Sequence, residues 1–119
     1  MKNKLLYMLV VLAGVFFTAA SCTFEVKVSG VELAGTKNGT FEGSHETPLV
    51  KASVLVTISG EKMTDIQIIR HENGKGQKAE EIVSVVLEKQ TTKVDAVSGA
   101  TLSSKVILKS IENAVESAR

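Results

Sequence analysis

The residues best suited to chemistry form a short run of small and hydroxyl-bearing side chains that leads into a helical pattern. The run reads Asp95-Ala96-Val97-Ser98-Gly99-Ala100-Thr101. After it, apolar residues recur at the spacing of one helical stripe, namely Ile107, Ile111, Ala114, Val115 and Ala118. The same spacing turns charged residues to solvent, namely Lys105, Lys109, Glu112 and Glu116. We therefore expect a helix that begins at Thr101 and runs almost to the C-terminus.

A helix start of this composition suits an anion. The first N–H groups of a helix lack internal partners, and the peptide dipoles add partial positive charge there. Gly99 and Ala100 leave the backbone uncovered, so a phosphate can approach closely. Hydroxyls come from Ser98, Thr101, Ser103 and Ser104. Thr101 also offers an oxygen to which a phosphate could be joined. The simpler alternative is that Ser98 or Thr101 only caps the helix.

The same residues carry a family resemblance. Asp95-x-x-Ser98-Gly99-Ala100-Thr101 resembles the flavinylation motif of the covalent FMN-binding domain family. The resemblance extends over residues 38–118, through the segments 38–43, 60–66 and 71–79. That family includes peripheral subunits of ion-translocating redox complexes and many small exported lipoproteins.

The resemblance implies that FMN is esterified through its phosphate to Thr101. A separate flavin transferase takes the FMN from FAD in that family. Ser98 and the amides of Gly99 and Ala100 are then the candidates for positioning the phosphate. Asp95 would orient the turn or be read by the transferase, and its alternative role is to cap backbone N–H groups.

Two histidines need separate interpretations. His71 resembles a recurrent family position, which implies that it could hydrogen-bond the flavin or move protons. The alternative is a solvated histidine at a strand end. His45 is interpreted as a loop residue. The glycine-containing segment 72–77 is either a surface loop or a loop that contacts the flavin.

The surroundings of a flavin ring are constrained by composition. After residue 22 the chain has no Trp or Tyr, and its aromatic residues are Phe24 and Phe41. We therefore expect the ring to rest on aliphatic surface near Phe41, with one edge open for a redox partner. An enzyme acting on a substrate would need a deeper pocket with convergent polar groups. No residues with a catalytic role and no metal ligands are predicted.

Residues 1–21 have the pattern of an export signal. Lys2 and Lys4 precede an uncharged, mostly apolar run over residues 5–20, and small residues precede Cys22, the single cysteine. The run is shorter than the roughly 20 residues that cross a bilayer. The pattern resembles a bacterial lipoprotein signal, which implies cleavage before Cys22 and a lipid on that residue. The alternatives are a plain signal peptide and an uncleaved anchor.

Composition limits the remaining possibilities. The chain has 119 residues, one domain's worth, and a formal charge of +1 without a basic cluster, so no nucleic-acid partner is expected. Loss of residues 1–21 removes two lysines and turns that charge to −1. A lipidated Cys22 would leave no thiol for a disulfide or a metal.

The rest of the chain predicts an α+β domain, with a small antiparallel sheet and two packed helices, the C-terminal one starting at the flavin-attachment turn. Residues 22–37 are a lipidated N-terminus that forms a tether or a first strand, and residues 38–119 are the FMN-binding domain. The predicted elements are a turn at 36–39, a loop at 44–48, strands at 50–58 and 63–71 joined by a hairpin at 59–62, a helix at 78–90 and a short strand at 94–97.

These features together predict an exported, membrane-anchored flavoprotein with FMN attached covalently to Thr101. It would relay electrons between membrane or extracytoplasmic redox partners, outside the cytoplasm of a bacterium, and would need a flavin transferase to mature. One alternative is a structural or ligand-binding lipoprotein domain without a cofactor. The other is a small flavin reductase that acts directly on a substrate.

Overall fold

The computed structural model describes residues 26–72 and 77–119. Its elements are strands β1 (Gly39–Glu46), β2 (Lys51–Ser59) and β3 (Lys62–Glu72), a 3₁₀ helix (Gln77–Glu81), and helices α1 (Ile82–Lys89) and α2 (Thr101–Ser117). The strands form one antiparallel sheet in the order β1-β2-β3. The predicted α+β class is confirmed. The predicted signal and Cys22 lie outside the described residues.

The central strand β2 has the alternation that its sequence predicts. Its inward residues, all buried, are Ala52, Val54, Val56 and Ile58. The hairpin to β3 turns at Gly60 and Glu61, whose φ angles are 59° and 60°. Positive φ at both central residues is the arrangement of a type I′ turn, whose twist matches that of the flanking strands. The sequence predicts this hairpin, although of the two central residues only Gly60 indicates a left-handed backbone.

Strand β3 contains two register shifts, opposite Ser53/Val54 and opposite Thr57/Ile58. At the first shift, Val54 pairs with Ile68 and Ser53 pairs with Arg70, so Ile69 is an extra residue. An extra residue reverses the in–out alternation of the strand beyond it. His71 therefore lies on the inner face of the sheet, where strict alternation from Ile68 would have placed Arg70.

Strand β1 is missed by the sequence, which predicts a turn at 36–39 and a loop at 44–48. Residues 44–46 belong to the strand, and only 47–50 turn into β2. His45 was interpreted as a loop residue, and this is wrong: it pairs with Ala52 on the inner face. In the middle of β1, a Cβ on Gly43 would overlap the Ser110 carbonyl oxygen and the Ala114 amide nitrogen. Helix α2 thus lies against β1 with no side chain between the two backbones.

Helix α2 is buried on more sides than its apolar stripe predicts. The stripe at 107–118 is buried, and so are Val106, Leu108 and Ser110. The expected solvent-facing position of Glu112 is wrong, because this residue is only 8% exposed. The second face of α2 is covered by residues 26–37, an irregular segment that the sequence left open as a tether or a strand and whose Val26 belongs to the core.

Glu112 binds that irregular segment. Its Oε1 accepts hydrogen bonds from the amides of Ser29 (2.8 Å) and Gly30 (2.7 Å) and from the Thr92 hydroxyl (2.9 Å). Lys109 Nζ lies 3.3 Å from Oε2. One carboxylate therefore joins three separate parts of the chain around α2.

The predicted helix at 78–90 begins as the 3₁₀ helix and continues as α1. It ends at Gln90, whose φ of 55° is left-handed and whose side chain bonds to both the amide and the carbonyl of Met63 in β3. The short strand predicted at 94–97 is wrong, because those residues form no ladder with the sheet. They run irregularly back to Thr101, at the N-terminus of α2.

Candidate functional site

Residues 97–100 form a tight turn immediately before α2. The Ala100 amide donates to the Val97 carbonyl at 3.0 Å, and Gly99 has a φ of 81°. A turn closed by this bond, with positive φ at its third residue, is of type II and favours glycine there. The glycine of the motif therefore has a backbone reason, beyond leaving room for a ligand.

The inner side of this turn is bound by Ser104, which is fully buried. The Ser104 hydroxyl donates to the Ala100 carbonyl (2.7 Å) and accepts from the Val97 amide (2.9 Å). The Ser104 amide also donates to the Ala100 carbonyl, at 2.9 Å, as the first hydrogen bond of the helix. The 97–100 turn is thus attached to the first turn of α2 through one side chain.

The start of α2 is not capped by a side chain. Ala100 occupies the N-cap position, and no side-chain oxygen bonds to the helix amides there. The alternative in which Ser98 or Thr101 only caps the helix is therefore wrong. Thr101 is the first helical residue and is exposed. Since the first helical amides have no carbonyl within the helix to bond to, they are directed at whatever lies before Thr101.

Other predicted site residues divide by exposure. Ser98, Gly99 and Asp95 are exposed around the turn. The Ala100 amide was a candidate for positioning phosphate, and this is wrong because that amide already donates to Val97. The expectation that the hydroxyls of Ser103 and Ser104 are available to an anion is wrong, because both residues are buried.

His71 is buried rather than solvated. Its side chain is only 3% exposed, and its Nδ1 lies 3.9 Å from the Glu80 carboxylate of the 3₁₀ helix. The bulge at Ile69 gives His71 this inward position. The alternative of a solvated strand-end histidine is therefore wrong. Sequence reasoning missed Glu80 as its neighbour, because the two residues are nine positions apart in the chain; residues 73–76 between them are outside the described part.

His71 and Thr101 lie towards the same end of the domain. The Ser110 hydroxyl donates, at 3.2 Å, to the carbonyl of Ala52 in β2, and Ala52 pairs with His71. The Lys37 amide, just before β1, donates to the Ala118 carbonyl at 2.7 Å. Helix α2 therefore runs from the His71 end of the sheet towards the end where β1 begins. Thr101 precedes Ser110 by nine residues, which is about 13 Å along the axis.

Aliphatic surface is present at this end, and Phe41 is not part of it. Leu49, in the turn between β1 and β2, is 67% exposed, and Leu102 is half-buried beside Thr101. Phe41 pairs with Val56, in the half of the sheet remote from His71. The expectation that a flavin ring would rest near Phe41 stays a prediction, and this position of Phe41 does not favour it.

A polar cleft of about 620 Å³ lies along the C-terminal half of α2, away from Thr101. Its charged lining residues are Glu32, Lys93, Lys109, Glu112, Glu116 and Arg119. The nearest of these on the helix, Lys109, is eight residues or about 12 Å from Thr101 along the axis. The cleft is therefore separate from the 97–100 turn.

The described residues contain neither a cluster of metal ligands nor a membrane-spanning helix. Within residues 26–72 and 77–119, no three His, Cys, Asp or Glu side chains are grouped as metal ligands would be. Over the part of the chain with described coordinates, no helix has both the length and the apolar character needed to cross a bilayer.

The fold and the site define a small α+β domain whose C-terminal helix begins at an exposed threonine beside a glycine turn. Comparison with family models gives the family. The chain belongs to the FMN-binding domain family, whose model matches residues 23–116. No match was found among curated proteins. The protein is accordingly a flavin-binding protein, and its cofactor is FMN.

The start of α2 fits the phosphate of that cofactor. A Cβ built on Gly99 would meet no atom within 4 Å, so the outer side of the turn is open. The uncapped helix amides and the helix dipole both favour a negative group there. Ser104 supports the turn from inside, and a serine four residues after an N-cap position is the one sequence signal that could have identified it.

Proposed function

We propose that FMN is joined through its phosphate to Thr101 and that the protein relays electrons outside the cytoplasm, anchored to a bacterial membrane by lipid on Cys22. The observation that carries the proposal is the exposed Thr101 hydroxyl at the uncapped start of α2, in a domain of the FMN-binding family. An exposed side chain at a helix N-terminus can be reached both by a transferase and by a phosphate.

The attachment step balances with FAD as the donor. The Thr101 oxygen attacks the phosphorus on the riboflavin side of FAD, and the bond between that phosphorus and the bridging oxygen breaks. AMP leaves, and the hydroxyl proton is released. Because the chain needs only to present its threonine, the chemistry is assigned to a separate flavin transferase, which can read Asp95 and the 97–100 turn.

After attachment, the protein holds the cofactor at a helix start. The amides of residues 101–103 would bind the phosphate, and exposed Ser98 would supply a further hydroxyl. When bound, FMN supplies one- or two-electron transfer chemistry. Buried His71 is positioned to donate a hydrogen bond or move a proton at the same end of the domain.

Covalent attachment and export support one another physically. A non-covalent site of micromolar affinity is worth about 8 kcal/mol, which suffices where free FMN is plentiful. Outside the cytoplasmic membrane, a released cofactor would diffuse away. An ester at Thr101 removes this loss, and the export signal over residues 1–21 is the reason it is needed.

Electron relay is favoured over catalysis on a substrate by the position of the polar cleft. A substrate site has to bring its ligand against the flavin, usually in a concave pocket with convergent polar groups. The cleft along α2 lies at the other half of the helix from Thr101. A flavin at the exposed helix start instead leaves an edge for brief contact with another redox protein.

The test is flavin fluorescence on a denaturing gel, after expression of the full chain together with a flavin transferase. Flavin that survives denaturation is expected in the wild type and in Thr101→Ser, which keeps a hydroxyl, and is expected to be absent from Thr101→Ala. Thr64→Ala, at an exposed threonine on β3, is the control and should keep its flavin. A bare Thr101 peptide by mass spectrometry in the wild type would refute covalent attachment.

A further inference from the structure

We propose that Ser104 is a positioning residue for flavinylation, and that its buried hydroxyl holds the 97–100 turn in the shape that presents Thr101 to the transferase. This inference rests on the proposed attachment at Thr101. It assigns a role to a side chain that touches neither the cofactor nor the attacking oxygen.

The contacts of Ser104 fall on the two residues that open and close the turn. Its hydroxyl accepts the Val97 amide at 2.9 Å and donates to the Ala100 carbonyl at 2.7 Å. The turn's own closing bond, from the Ala100 amide to the Val97 carbonyl, joins the same pair. Ser104 therefore doubles the connection across the turn, and it does so from a fully buried position.

The outer side of the turn offers no comparable support. Ser98 and Gly99 are exposed, and the space next to Gly99 is open. Glycine is also the residue least restricted in its backbone angles. The shape of the turn consequently depends on its inner contacts, and Ser104 supplies two of them.

The geometry of the turn matters because Thr101 follows it directly. In a transfer reaction the attacking oxygen has to lie about 3 Å from the phosphorus and in line with the leaving group, and a displacement of about 1 Å can cost two orders of magnitude in rate. Loss of the Ser104 hydroxyl leaves the Val97 amide without this acceptor and loosens the segment that fixes the direction of Thr101.

Ser110 provides a matched control on the same helix. It is also fully buried, and its hydroxyl donates to the carbonyl four residues before it, that of Val106, at 2.8 Å. Its second bond goes to Ala52 in β2, not to the 97–100 turn. Ser110→Ala therefore removes a buried serine hydroxyl with similar local bonding and leaves the turn intact.

The experiment measures how fast the full chain acquires flavin. Wild type, Ser104→Ala, Ser104→Thr and Ser110→Ala are each expressed first, the transferase is then induced, and the flavinylated fraction of the Thr101 peptide is followed by mass spectrometry. Thermal melting of each protein before flavinylation gives its stability. Threonine at 104 keeps a hydroxyl that can bond to the carbonyl four residues earlier. In the unflavinylated wild type, hydrogen exchange of the Val97 amide reports directly on the bond to Ser104.

We expect Ser104→Ala to acquire flavin about tenfold more slowly than the wild type, and Ser104→Thr to recover most of that rate. Ser110→Ala should melt at a similarly lowered temperature but stay within about twofold of the wild-type rate. The Val97 amide of the wild type should exchange slowly.

Other results would overturn the inference in distinguishable ways. A wild-type rate in Ser104→Ala would remove the role of Ser104 and leave attachment at Thr101 standing. Equal slowing in Ser104→Ala and Ser110→Ala would reduce the effect to general stability. Fast exchange of the Val97 amide in the wild type would show that the bond to Ser104 does not hold the turn. This result does not require Ser104→Ala to fold. A wild type that acquires no flavin would remove the proposed function as well.

Discussion

Hydroxyl side chains at the start of α2 divide by burial, and this division separates their roles. Thr101 is exposed and free of any capping bond, whereas Ser103 and Ser104 are buried. The sequence predicts all of them as a polar helix start, because it fixes their spacing along the helix. It does not predict which of them the rest of the chain covers, since that depends on packing against distant segments.

The position of His71 leads to a prediction about the midpoint potential of the flavin. Replacing its imidazole by leucine removes hydrogen-bond donors from the end of the domain that would carry the flavin. Because the reduced ring holds more negative charge than the oxidised ring, losing one such donor should lower the midpoint potential of a two-electron couple by about 20 mV. The measurement is a spectroscopic redox titration of flavinylated His71→Leu, with denatured-gel fluorescence verifying that attachment is unchanged.

The neighbouring carboxylate provides the control for that prediction. Glu80→Gln alters the group 3.9 Å from His71 Nδ1 and should shift the potential in a measurable way, whereas Glu81→Gln changes an exposed neighbour of the same charge and should not. Identical potentials in the wild type and His71→Leu would show that His71 does not contact the flavin.

The sequence predicts the strands β2 and β3 more reliably than it predicts the bulge within β3. The alternation in β2 and the glycine of the hairpin predict two paired strands, because both signals are local. The bulge that moves His71 inward has no local signal, since it is defined by the pairing of β3 with β2. The prediction that Glu112 faces solvent fails for a related reason: the segment that covers this residue is irregular, and the sequence does not distinguish a tether from a packed strand there.

Substitution of Glu112 is expected to lower the free energy of unfolding strongly. Glu112→Ala leaves two amides and the Thr92 hydroxyl without their buried acceptor, so it should lower the free energy of unfolding by about 3 kcal/mol. For a domain of this size, that corresponds to a fall in melting temperature of more than about 10 °C. Thermal unfolding followed by circular dichroism measures this fall.

Glu116→Ala serves as the matched control, one turn further along α2. Glu116 is exposed, and its ion pair with Arg119 spans 3.8 Å at the surface, so its removal should change the free energy of unfolding by less than about 0.5 kcal/mol. A protein that tolerates Glu112→Ala as well as Glu116→Ala would show that residues 29–30 are not bound through Glu112.

For the whole molecule, the contact of residues 26–37 with α2 determines how far the domain could move from a lipid on Cys22. Only three residues lie between Cys22 and the buried Val26, and the four steps along the chain span at most about 14 Å. We predict that Cys22→Ala releases the protein from bacterial membranes into the soluble fraction. Lys27→Ala, at an exposed position, should remain with the membranes.

Fractionation of cells followed by a carbonate wash measures this release. Retention of Cys22→Ala in the washed membranes would contradict the lipid anchor and favour an uncleaved N-terminal segment. Either result concerns the membrane anchor only, because attachment of FMN to Thr101 depends on the other end of the chain.

Gly43 has a consequence for how an electron could leave this protein. The backbones of β1 and α2 are in direct contact at Gly43, and α2 is also bonded to the carbonyls of Ser44 in β1 and Ala52 in β2, so the helix is held against the sheet. A flavin joined at Thr101 would then owe its range of positions to rotations within its own ribityl chain and to reorientation of the domain as one body. Under the proposed function, the partner has to come to the cofactor, because the scaffold beneath the ester does not extend.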